Sequence, residues 1–126
     1  MPHHVSKPHF YQLVERALEG LPEEFAEFLE EVPVEVMDRA TPAFRKSRGL
    51  EGNGMLLGLY RGRPRTERSV EDSGLMPDVI YIFQRELELI SRSEEQLVEE
   101  VRKTVLHEIG HHFGLNEDDL EKLGYR

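Results

Sequence analysis

No cysteine occurs in the chain, which excludes disulfides and every thiolate metal site. Histidine and carboxylate remain as the only strong ligands for a transition metal. Tryptophan is also missing. No apolar run approaches the roughly 18 residues that a membrane span needs, and no signal-type apolar segment follows Met1. The expected location is therefore the cytoplasm, with no membrane partner. Positive charge is in deficit: 16 Lys and Arg against 25 Asp and Glu leave a net charge of −9, which argues against a nucleic-acid partner. No internal repeat is visible.

What the chain does contain is 126 residues, 38% of them apolar and periodically spaced, so a single domain over residues 1–126 with one modest core is expected. Charged residues make up 33%, above the usual quarter. Abundant Glu and Arg beside few Asn and Gln suggest a thermophilic source. The basic residues are unevenly placed. Residues 39–68 hold Arg39, Arg45, Lys46, Arg48, Arg61, Arg63, Arg65 and Arg68 against Glu51 and Glu67 (8 − 2 = +6). Such a run most often forms a solvated loop facing acidic helices of its own chain.

Hydrophobic spacing organises the rest. Ser6 caps a helix with Pro8 in its first turn, and Phe10, Leu13, Val14, Ala17 and Leu18 follow helical spacing until Gly20. The first ten residues hold His3, His4 and His9, a small cluster that could take a metal adventitiously but reads rather as a frayed, exposed start. Pro22 opens a second helix to about residue 31 with Phe25, Phe28 and Leu29 on one face. At residues 32–37 the period becomes two, with Pro33 favouring a strand start or edge. Residues 41–54 read as a loop. Residues 55–60 read as a central strand in which Gly58 marks a bulge or a close backbone approach. Residues 63–77 lack periodicity and exceed the usual connection length, which suits a mobile segment or a lid. Residues 79–83 form a third strand, residues 85–91 are ambiguous, and Ser93 with Gln96 starts a long helix. The implied order is α-α-β-β-β-α-α: an α+β fold with a small sheet of about three strands packed against helices.

The long helix carries the chemistry. In His107-Glu108-Ile109-Gly110-His111-His112-Phe113-Gly114-Leu115-Asn116-Glu117, His107 and His111 are four residues apart and stack one turn above the other, so two imidazoles can reach one ion. Glu108 lies about 100° round the helix, where it can touch water held by the ion without being a ligand. Gly114 can end the helix and turn the chain, and Glu117 then offers a third ligand at the start of a short helix over residues 116–123 capped by Asn116. With this chain's composition the extended motif arises by chance about once in a thousand. The apolar stripe Leu97, Val98, Val101, Val105, Ile109 and Phe113 includes the Glu108 position, and a carboxylate there needs a strong partner. His112 reads as a core histidine, and Gly110 as a site of tight packing.

These residues resemble a known group. The HEIGHHFGLNE stretch, with the upstream LLGLYRG and MPDVIYIF segments, is similar to the small bacterial metallopeptidase-like family described as a minimal zincin, over roughly residues 10–124. The resemblance implies a compact zincin-like fold, one zinc ion held by His107, His111 and Glu117, and Glu108 as catalytic acid and base. The motif also resembles that of the metzincins, from which it departs in having Glu117 where a histidine is usual and no methionine after Met76.

The expected activity is zinc-dependent hydrolysis of a peptide or protein substrate, with Glu108 as general base. If residues 79–83 lie at a sheet edge beside the metal, Tyr81 and Ile82 would bind the peptide by backbone pairing. Tyr60, Tyr81 and Tyr125 are candidate oxyanion donors. Two other classes fit the motif less well. A metal-dependent endoribonuclease of ribosomal RNA maturation shares the ligand spacing but has three histidines and no HExxH glutamate. A non-catalytic, metal-stabilised binding module would account for the missing methionine.

Overall fold

A computed structural model describes residues 2–47, 55–61 and 78–112. The helices α1 (Lys7–Glu19) and α2 (Glu23–Glu31) lead into the strand β1 (Val34–Met37) and a short helix α3 (Pro42–Ser47). After these come β2 (Gly58–Arg61), β3 (Val79–Phe83), α4 (Gln84–Leu89) and the long helix α5 (Glu94–His112). The architecture is α+β, and among the described residues the strands form a mixed three-stranded sheet in the order β1-β3-β2. β3 pairs in parallel with β1 (Val34 opposite Ile80) and antiparallel with β2 (Gly58 opposite Ile82).

Alternation along β3 divides the molecule into layers. Ile80 and Ile82, both fully buried, join the main core with Phe10, Leu13, Phe25, Val36, Leu97, Val101, Val105 and Ile109. Phe83 points the other way, into a smaller cluster with Ala40, Leu56 and Leu59, against which Tyr81 and Phe44 pack. One sheet face therefore carries α1, α2 and α5, and the other is covered by α3. α1 lies along α5 and buries four of the five residues its spacing predicted, Phe10, Leu13, Val14 and Ala17, with Leu18 partly buried. Ser6 caps it by accepting a hydrogen bond from the His9 amide at 3.3 Å.

Several expectations change. Residues 41–54 were expected to be a loop, but residues 42–47 form α3, started by the Phe44 amide donating to Thr41 Oγ1 at 3.2 Å. The ambiguous stretch after β3 is α4, whose inward face is Gln84, Glu86, Leu87 and Glu88. The chain start is not frayed: the His3 amide donates to the Glu88 carbonyl (3.2 Å), the Val5 amide to Glu88 Oε2 (3.0 Å), and Gln84 Nε2 to the Val5 carbonyl (3.2 Å). His4 pairs with Glu88 and His9 with Glu94, so the histidines answer to separate carboxylates. Arg45, from the basic segment, meets Glu86 of α4 at 3.0 Å, which is the intramolecular role expected for such residues. Among the described residues no helix is long and apolar enough to cross a membrane. Residues 63–77, Gly114 and the short helix expected over 116–123 lie outside the described residues.

Candidate metal centre

Helix α5 begins where its sequence indicates. Ser93 Oγ accepts from the Gln96 amide at 3.1 Å, while the Gln96 side chain reaches back to the Arg92 amide at 2.9 Å, one residue before the usual capping-box partner. The helix that follows has its apolar stripe fully buried at Leu97, Val101, Val105, Leu106 and Ile109. The backbone stays helical through His112. His107 and His111 thus stand four residues apart on one unbroken helix, one turn from each other.

Glu108 is 5% exposed, as its place in the apolar stripe demands. Its Oε1 accepts a hydrogen bond from the main-chain N–H of Tyr60, at 2.8 Å. His107 is half-buried. Together with Glu108 it lines an open cavity of about 260 Å³ whose other walls are residues 55–58 of the β2 segment and Thr104 of α5. The sequence marked Gly58 as a point of close approach, and it is one: a Cβ there would lie 2.5 Å from Thr104 Cγ2. Nothing in the sequence pointed to the Tyr60 amide, because a main-chain donor leaves no trace in residue type.

The register shows which groups of β2 are engaged by the sheet. The Leu57 carbonyl accepts from the Phe83 amide at 3.0 Å, and Leu59 stands opposite Tyr81. In an antiparallel pair the bonded residues alternate, so the main-chain groups of Gly58 and Tyr60 face away from β3. Among the described residues β2, not β3, is therefore an edge of this sheet beside the cavity, where a central strand was expected at residues 55–60. The companion expectation, peptide pairing along residues 79–83, is corrected. Both sides of β3 are occupied by β1 and β2, Ile82 is fully buried in the main core, and the Tyr81 ring packs 4.9 Å from that of Phe44. Of the tyrosines considered as oxyanion donors, Tyr60 directs its hydroxyl to Asp78 Oδ2 at 2.6 Å, and Tyr125 lies outside the described residues.

The sequence model of a family described as zincin-like metallopeptidases matches residues 29–125. The chain belongs to this family. Two solved chains resemble it. One is a conserved hypothetical protein from Thermo thermophilus, 29% identical, with a TM-score of 0.56 over 94% of this chain and 97% of that one. No curated protein matches the chain.

A zincin-like family implies a metal, usually zinc, and the donors present suit it. Without cysteine the strong donors that the chain offers are imidazole and carboxylate, a combination ordinary for zinc in hydrolytic sites. His107 faces an open cavity beside a buried carboxylate, an arrangement that apolar packing does not explain. Among the described residues no three His, Asp or Glu side chains converge. Glu117 and the side chains of His111 and His112 lie outside those residues.

Proposed function

We propose that this zincin-like chain is a zinc-dependent metallopeptidase that hydrolyses peptide bonds with Glu108 as its general base. The observation that carries the reading is the placement of Glu108: a carboxylate buried in an apolar stripe, next in sequence to His107, on the wall of the same cavity and against a sheet edge. His107, His111 and Glu117 would hold the metal. When bound, zinc supplies a Lewis-acid centre that acidifies water and polarises a carbonyl.

The chain's own residues then have distinct tasks. Glu108 takes a proton from the attacking water as the new C–O bond forms, and gives it to the departing amine nitrogen as the C–N bond breaks. An extended peptide would pair with the outward-facing edge of β2 at Gly58, since the Tyr60 amide on that edge is taken by Glu108. The wall formed by Met55, Leu56 and Leu57 gives apolar side chains of such a peptide a surface to cover.

Metal analysis and peptide-library cleavage, run on wild type, Glu108→Gln and His107→Ala, test the reading. Glu108→Gln should keep zinc and lose turnover by roughly 100-fold or more, the span of general acid–base catalysis. His107→Ala should lose zinc with its fold intact. Wild-type cleavage rates in Glu108→Gln would overturn the assignment of the base. A zinc-loaded wild type that cleaves nothing would leave a metal-stabilised binding module in place of an enzyme.

A further inference from the structure

β2 does more than wall the cavity. Tyr60 is held at both ends, its amide on Glu108 Oε1 at 2.8 Å and its hydroxyl on Asp78 Oδ2 at 2.6 Å, with Asp78 itself 7% exposed. Two residues earlier, Gly58 leaves empty the position where a Cβ would stand 2.5 Å from Thr104 Cγ2 and 3.1 Å from the Tyr81 carbonyl oxygen. Thr104 and Glu108 are four residues apart on α5 and so share a face. The strand thus comes as close to the helix as a backbone can at Thr104, and one helical turn later delivers an N–H to the carboxylate.

A glutamate with three side-chain torsions samples many rotamers unless something selects one, and a general base must be held to well under 1 Å. Water would serve a main-chain amide at a sheet edge equally well, so the bond matters more for where it holds the carboxylate than for satisfying the amide. Resting on the peptidase reading, we propose that Gly58 and Tyr60 are positioning residues for Glu108. Gly58 sets the distance between β2 and α5, and the Tyr60 amide uses that distance to fix the carboxylate on the cavity wall. The Tyr60–Asp78 bond keeps the amide in place.

The test compares wild type, Glu108→Gln, Gly58→Ala and Gly58→Ala/Thr104→Ser as full chains. In the metal-free proteins, backbone NMR reads the Tyr60 amide proton. It should lie downfield and exchange slowly in wild type, as a donor to a carboxylate does, and move upfield in Glu108→Gln and in Gly58→Ala. Removing Cγ2 in the double variant should bring it back. In the zinc-loaded proteins, Gly58→Ala should lower kcat by about 10- to 100-fold with KM within about twofold and zinc content unchanged, and Thr104→Ser should restore much of the loss.

An amide signal indifferent to both single substitutions would overturn the proposal. So would a double variant that recovers the signal and the thermal midpoint while kcat stays low. If Gly58→Ala does not fold, Tyr60→Phe supplies the same comparison by releasing the anchor on Asp78, with a smaller upfield shift and a smaller loss of kcat expected. Absence of any peptide turnover in zinc-loaded wild type overturns the peptidase reading instead, and the amide signature then decides separately whether β2 holds Glu108.

Discussion

Replacing Glu88 with Gln should lower stability at neutral pH and have almost no effect in acid. Glu88 is fully buried on α4, where its carboxylate accepts from the Val5 amide at 3.0 Å and Gln84 Nε2 at 3.1 Å, with His4 Nδ1 also at 3.1 Å. Burial alone raises the pKa of this carboxyl, but the hydrogen bonds from Val5, His4 and Gln84 outweigh it and hold the group below its ordinary 4.5. A carboxylate with a depressed folded-state pKa contributes stability that is complete well above 4.5, and that is lost as pH falls below 4.5 and through the folded value. Glutamine keeps the shape and one carbonyl acceptor but surrenders the charge.

Hydrogen bonds to a charged group contribute about 1.5–3 kcal/mol against about 0.5–1.5 for neutral ones, so the substitution should cost about 1–2 kcal/mol at pH 7. For a chain of this size that lowers the midpoint by roughly 3–8 °C. Thermal unfolding followed by circular dichroism, on both proteins at steps from pH 7 to pH 3, reads the difference and cancels every other carboxylate. The gap should close towards pH 3. A gap that stays constant over that range would refute the reasoning, because it would mean that the Glu88 charge does not hold residues 3–5 on α4.

Three further outcomes are expected. Glu99 is also held below 4.5, by its hydrogen bond with Arg102 against a smaller burial effect, but it is half-exposed; Glu99→Gln should change stability by less than about 0.5 kcal/mol in the same pH series. Leu97→Ala, at a fully buried point of the α5 stripe, should cost about 2–5 kcal/mol in denaturant unfolding with little change in m-value. Ser6→Ala removes the α1 cap, whose hydrogen bond to the His9 amide is long at 3.3 Å, and should cost about 1 kcal/mol by the same measurement.

The elements that the sequence made legible are those whose faces are uniformly apolar. Helices α1 and α2 and strand β3 come out at the expected residues because Phe10, Leu13, Phe25, Phe28, Ile80 and Ile82 each supply a clean period. α4 was hidden because its inward face carries Gln84, Glu86 and Glu88, whose partners lie far off at Val5 and Arg45. α3 is a single short turn and a half with Phe44 as its anchor, too little for a period to show. The run at residues 55–60 looked central because it is apolar on both sides. Leu59 fills the smaller cluster and Tyr60 packs on the larger, so its burial is facial and says nothing about its edges. At the site, the residue types announced His107 and Glu108, whereas the strand that meets them was fixed only by tertiary pairing.

The parallel pairing of β1 with β3 has a bearing on how the molecule comes to exist. Val34 sits opposite Ile80, 46 positions along the chain (80 − 34), and β2 joins the sheet only by adding to the far side of β3. None of these strand pairings is local, so the sheet must close long loops before its contacts reward it. The histidines belong to one helix and need no such closure, but the berth of Glu108 on Tyr60 does. Imidazoles on one helix are in place as soon as it forms; the acid is set in its place only once β2 has docked against α5.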